Sequence, residues 1–146
     1  EVIAVAAPHF NHGQLPQTPQ QIVDSPIIHS TESWLPWCEA AGVEMSGERA
    51  GLCSNDSNLI LEAVRLGQGI ALERRSLVQD AIARGELVQL GDISVPYAYP
   101  YWLVWPPREG SHTKQQAFSQ WLFKEVDSYL GQLKGVTDKC PPSAQG

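Results

Sequence analysis

Residues 54–72, SNDSNLILEAVRLGQGIAL, decide how this chain is read. Four short polar side chains, Ser54, Asn55, Asp56 and Ser57, offer oxygens to the free backbone N–H groups that open a helix. Leu59, Ile60, Ala63, Val64 and Gly67 then recur at helical spacing and give that helix one apolar face. Gly67 is placed to end the helix in a left-handed conformation, Gly69 allows a close approach, and residues 70–72 form a short buried strand. The unit therefore runs from helix to strand, with a polar entrance facing the mouth of a sheet. The unpaired N–H groups and positive dipole end at that entrance suit a carboxylate or phosphate.

Upstream, residues 2–5 (VIAV) already read as a strand, so the chain is expected to begin inside a domain. Residues 8–20 hold three prolines and a glycine and read as a loop, with a brief helical signal at 19–24. Residues 27–29 make a short strand. Ser33 then caps a helix whose Trp34, Trp37, Cys38 and Ala41 share one face before Gly42 ends it, with Pro36 tolerated in its first turn. Residues 49–53 form the strand that feeds the quoted unit.

Downstream, Ser76 opens a helix with Leu77, Val78, Ala81 and Ile82 inward, Gly85 closes it, and residues 87–90 make another strand. This alternation argues for an α/β layer with a mainly parallel sheet. Residues 91–100 loosen into a proline- and tyrosine-rich connection, and 101–105 resume as a strand that Pro106 and Pro107 end. A last helix from about Thr113 carries Ala117, Phe118, Trp121, Leu122, Val126, Tyr129, Leu130 and Leu133 on one apolar stripe, and residues 135–146 have the composition of a flexible tail.

Ten Lys and Arg against sixteen Asp and Glu give a net charge of −6, which argues against a grip on a polyanion through this segment. No apolar run is long enough for a membrane span, so no membrane partner is expected. Cys38, Cys53 and Cys140 are odd in number, far apart and form no CxxC pair, which points to a reduced, cytoplasmic chain. An enzyme is not expected. GxSxG, GxxxxGK and HExxH are all absent, and Gly67-x-Gly69 precedes a strand where a dinucleotide fingerprint would follow one. His9 and His12 form an HxxH pair, but no Cys, Asp or Glu follows at ligand spacing, so neither a metal nor a cofactor is expected. Cys53 reads as inert and buried, since nothing nearby in sequence would lower its pKa.

The spacing of Trp34, Trp37 and Gly42, LEAVRLGQGIAL at 61–72, Val78, Ile82, GELVQL at 85–90, YWLVWP at 101–106 and AFSQWLFKE at 117–125 resembles the effector-binding domain of LysR-type transcriptional regulators. The likeness is greatest to the branch of glycine-cleavage and β-lactamase activators. It implies a periplasmic-binding-protein-like (type II), Rossmann-like subdomain plus the C-terminal helix of a partner subdomain. Residues 1–8 would be the crossover strand from a first subdomain, 9–100 the second subdomain, and 101–134 the return strand and closing helix of the first. It also implies a homo-oligomer, and contact with operator DNA only through an N-terminal domain that this chain lacks. The last helix would lack its packing partner and leave its stripe exposed.

By the same resemblance a small anionic metabolite would sit between subdomains, met by Ser54, Asn55, Asp56 and Ser57, with plain N-capping as the competing role. Ser30, Thr31 and Ser33 are a parallel case before the second helix. Trp34 and Trp37 read as core. His9 and Phe10 follow the crossover strand at a position that could touch an effector. Tyr97, Tyr99 and Tyr101 cluster before the return strand, where this branch places aromatic contacts; their competing role is to cover the sheet edge. Glu73, Arg74 and Arg75 read first as a solvated turn and secondly as a trio that could set ligand preference. The alternative function is a periplasmic solute-binding protein of the same two-lobed plan.

Overall fold

The computed structural model describes residues 1–45, 51–99, 101–106 and 113–137, with residues 132–137 described by backbone alone. The chain divides into two compact units, Glu1–Tyr101 and Trp102–Gly146.

In the first unit the central element is β1 (Val2–Ala6), whose five residues are all buried. A strand that is apolar throughout belongs between two layers, and β1 divides its side chains accordingly. Val2, Ala4 and Ala6 join a core with Phe10, Ile22, Trp34, Trp37, Leu72 and Leu90. Ile3 and Val5 join a second core with Ile60, Val64, Ala71, Val78 and Leu87. The helices that cover these faces are α1 (Pro19–Val23), α2 (Leu35–Ala41), α3 (Ser57–Arg65) and α4 (Arg75–Ala83). A capping box starts α1, with the Thr18 hydroxyl accepting from the Gln21 N–H while the Gln21 side chain accepts from the Thr18 N–H.

The sheet order is β2 (Ala71–Arg74), β1, β3 (Val88–Val95), and β1 is antiparallel to both neighbours. The expected mainly parallel sheet is therefore not what the named strands form. Among the described residues parallel pairing is confined to isolated bridges, Ile27 with Ile70 and His29 with Cys53. The Ile28 N–H donates to the Ile70 carbonyl (2.8 Å), Ile70 N–H to Pro26 (2.9 Å), and His29 N–H to Leu52 (2.8 Å). The physical reason lies in connectivity. β2 and β3, joined through α4, point the same way as strand–helix–strand logic requires, but β1 arrives from the chain's start and slips between them in the opposite sense.

Further differences from the sequence reading are local. β3 does not stop at Leu90: it runs on to Val95, with its register shifting between the partners of Ile3 and Val5 and Gly91 at φ +67°. A Gly-Asp pair that reads as a loop is here a bulge inside a strand. In α3, Leu59 faces outward (53% exposed), while Ile60, Leu61, Ala63 and Val64 make the buried face. In α4, Leu77 is exposed, and Ser76 is the helix's second residue instead of its cap. The loop after β1 holds a 3₁₀ turn, Phe10–Gly13, in which Asn11 and His12 both have positive φ. Of the strand expected at 49–53, residues 49 and 50 lie outside the described residues.

Gly67 ends α3 at φ +73°, its N–H donating to Val64 (2.8 Å). Gly69 is a close approach: a Cβ there would stand 2.7 Å from the Pro26 carbonyl oxygen and 3.0 Å from Ile28 Cγ1. Gly69→Ala is expected to force the Ile27–Ile70 bridge apart and cost about 2–3 kcal/mol, read from urea denaturation. A variant as stable as wild type would refute that tight contact.

In the second unit, residues 102–106 form no strand, and Trp102, Val104 and Trp105 are exposed; Tyr101, at the end of the first unit, is likewise exposed and outside any strand. The expected return strand at 101–105 is thus absent among the described residues. An apolar run becomes a strand only when a neighbouring edge takes its backbone groups, and no described segment does so. The expected last helix is present as α5 (Thr113–Thr137), and it exposes Phe118, Trp121, Phe123, Val126 and Leu130. The Leu133 side chain and residues 138–146 lie outside what is described.

Candidate functional site

β2 ends on two charged residues that alternate across the sheet, and the polar loops of the unit gather there. Arg74 is the hub. Its guanidinium lies over the Tyr97 ring (5.2 Å to the centroid), and it donates to the Tyr101 hydroxyl (2.8 Å) and to Ser57 Oγ (3.3 Å). Arg74 Nε stands 3.6 Å from Glu32 Oε1, an ion pair too long for a hydrogen bond. Burial works against the Arg74 charge, but Tyr101, Tyr97 and Glu32 outweigh it and hold the group above its ordinary pKa. Burial raises the Glu32 carboxyl, and Arg74 opposes that rise.

Glu73 points to the other face and is wholly buried. Burial pushes its carboxyl up to about 7, assisted by Glu32 and opposed by the Arg74 backbone N–H, the Arg74 charge and Ser57. Neither carboxyl oxygen meets a partner in full hydrogen-bond geometry among the described residues, although Ser57 and the Arg74 N–H lie close enough to lower its pKa. A protonated, neutral acid is the state such surroundings favour.

Of the residues singled out by sequence, Ser57 belongs directly to this cluster through Arg74. Ser30 Oγ donates to the Leu72 carbonyl (3.2 Å) and accepts from the Glu32 N–H (3.1 Å), so it shapes the loop that presents Glu32. Ser33 accepts from the Leu35 N–H (3.2 Å) at the start of α2, where Trp34 is the N-cap. Ser54 accepts from the Asp56 N–H (3.1 Å), and Asp56 caps α3 by accepting from the Asn58 N–H (2.9 Å). Asn55 is exposed. Asp56→Ala is expected to cost about 1 kcal/mol in thermal or urea denaturation, the value of a cap. Tyr99 is exposed and meets Tyr97 edge to face at 5.9 Å.

His9 and Phe10 are not brought to this site. Because β1 is antiparallel to β2, the residue beside Arg74 is Val2, and the chain beyond Ala6 reaches the opposite end of the sheet. There His9 packs beside Gly67, whose added Cβ would stand 3.1 Å from His9 Nε2, and Phe10 is buried in the core. Cys53 is exposed, which corrects the reading of inert burial; Cys38 is buried. A hollow beside the cluster is lined by His29, Ser30, Glu32, Ser33, Trp34 and Cys53 among others. Among the described residues no three His, Cys, Asp or Glu side chains group as metal ligands.

Glu32 carried no signal in sequence. The Glu73–Arg75 trio did, but not as a solvated turn: Glu73 is buried, Arg74 is the hub, and Arg75 bonds Glu1 Oε2 (3.0 Å) and Gln89 Oε1 (3.1 Å). An apolar strand leading into three successive charges is the feature that would have found it.

In α/β units small molecules commonly bind where polar loops gather at one end of the sheet. The LysR substrate binding domain model matches residues 1–127, and the chain belongs to that family. It is 31% identical over 94 residues to the HTH-type transcriptional activator AmpR of Rhodobacter capsulatus, covering 64% of this chain and 32% of that protein. It is 26% identical over 129 residues to the glycine cleavage system transcriptional activator of Escherichia coli K12, covering 86% of this chain and 42% of that protein. The chain thus spans less than half the length of these curated relatives. In fold it is similar to the AmpR effector binding domain of Citrobacter freundii (TM-score 0.57, 20% identity, 64% of this chain and 48% of that one). The AmpR effector domain of Pseudomonas aeruginosa also matches (TM-score 0.51, 22% identity, 60% and 42%). These relatives are transcriptional regulators, not enzymes, which sets aside the periplasmic solute-binding alternative. No helix among the described residues is long and apolar enough to cross a membrane.

Proposed function

We propose that this chain is the effector-sensing part of a cytoplasmic, homo-oligomeric LysR-type regulator, which meets operator DNA through a separate N-terminal domain. A small metabolite with an anionic group is held against Arg74, Ser57 and the start of α3. The single observation that supports this most is Arg74, pinned by Tyr97, Tyr101 and Ser57 beside a helix start. In this reading the parent sheet is of the type II periplasmic-binding-protein kind and mainly parallel, which the two isolated parallel bridges support. Ligand bound here favours one subdomain arrangement over another, by no more than its differential affinity for the two. The test is the intact mass and N-terminal sequence of the protein from its source cells. A longer chain opening with a basic helix-turn-helix is expected; a cleaved secretory start would overturn the proposal.

A further inference from the structure

Building on the assignment of Arg74 as the ligand anchor, we propose that the ligand is a zwitterion of the amino-acid type. Its carboxylate takes the Arg74 guanidinium, and its ammonium takes the carboxylate of Glu32. The pair that faces the ligand is already charged, largely desolvated and loosely joined: the Glu32 side chain is 11% exposed, that of Arg74 21%, and they stand 3.6 Å apart. The attraction between desolvated charges does not by itself offset their loss of water, and full hydrogen bonds to both groups are needed as well. Each terminal nitrogen of the guanidinium donates one hydrogen bond, to Tyr101 and to Ser57, and has a second N–H to give. The site thus holds spare donors and an acceptor side by side, at the end of β2 and on the loop before α2.

The charge balance then selects the ligand. One carboxylate, Glu32, faces the guanidinium, since Glu73 lies on the opposite face and burial favours its neutral form; the other groups against Arg74 are the neutral Ser57, Tyr97 and Tyr101. Arg75 is turned away onto Glu1 and Gln89. A ligand that is only an anion meets Glu32 as a like charge, and one that is only a cation meets Arg74. A molecule with both charged groups attached to one carbon satisfies both and leaves the net charge of the site unchanged.

The test compares three molecules that share one skeleton: L-alanine, propionate and ethylamine. Each is titrated into the ¹⁵N-labelled chain while the Arg74 Nε–H and Ser57 amide signals are followed. The expected result is that alanine moves these signals at about tenfold lower concentration than either single-charge molecule. Glu32→Gln should erase that advantage and leave the response to propionate in place. Propionate matching alanine in the wild-type chain would overturn the zwitterion while leaving Arg74 as an anion anchor. If none of the three moves the Arg74 signals, Arg74 is not the ligand anchor, and the assignment beneath the proposal falls with it. The wild-type comparison stands even where the variant fails to fold.

Discussion

The wild-type chain is expected to lose about 3 kcal/mol of stability as pH rises from about 4.5 to about 7, and Glu73→Gln to remove most of that loss. The Glu73 carboxyl has its ordinary value of 4.5 in the unfolded chain and about 7 when buried. Between those values the unfolded chain releases the proton that the folded chain retains, so ionisation favours unfolding. Below the unfolded pKa both states are protonated and the contribution is fully present; above the folded pKa both are ionised and the loss is complete. The amide introduced by Glu73→Gln never ionises and removes the Glu73 contribution, leaving that of Glu32, whose carboxyl burial also raises; burying the amide without a partner has its own pH-independent cost. Urea denaturation of both proteins across pH 4 to 8 reads the difference directly. Parallel pH profiles would show that Glu73 is solvated or paired in solution.

Trp37→Ala is expected to cost about 3–5 kcal/mol and Trp37→Phe about 1 kcal/mol. Trp37 is fully buried, and its ring stands edge to face with Trp34 at 5.4 Å. Its indole N–H has no hydrogen-bond partner among the described residues. The indole therefore contributes volume and ring contact, and phenylalanine retains much of both without a buried unpaired donor. Equilibrium urea unfolding of the two variants separates the roles. A Phe variant as damaged as the Ala variant would mean that the N–H is bonded after all.

Local signals in the sequence were read correctly where one residue type has one physical use. Gly67 and Gly42 do end their helices at positive φ, Gly69 does sit against a carbonyl, and Trp34 and Trp37 do fill the core. Direction and partnership were not legible. Nothing in VIAV states which way β1 runs, and that direction alone decides that His9 and Phe10 lie at the opposite end from Arg74. Residues 101–105 are an apolar and aromatic run that reads as a strand, but an edge to pair with is a property of other residues. The polar run at 54–57 divides: Ser54 and Asp56 serve the backbone, while Ser57 reaches Arg74. Glu73 was missed as a buried acid because charged residues are almost never fully buried alone, so its type argued for solvent.

The placement of β1 also governs the order in which this unit can be assembled. The first strand of the chain is the middle strand of the sheet, and its neighbours lie about seventy and ninety residues further on, at Arg74 and Val95. Closing loops of that size carries its entropic cost before any pairing rewards it, which places the unit among slow, high-contact-order folders. During synthesis β1 emerges before either of its partners in this sheet, and its pairing waits for β2 and then β3. Destabilising substitutions in β1 should thus slow refolding, whereas equally severe ones in α1 should chiefly speed unfolding.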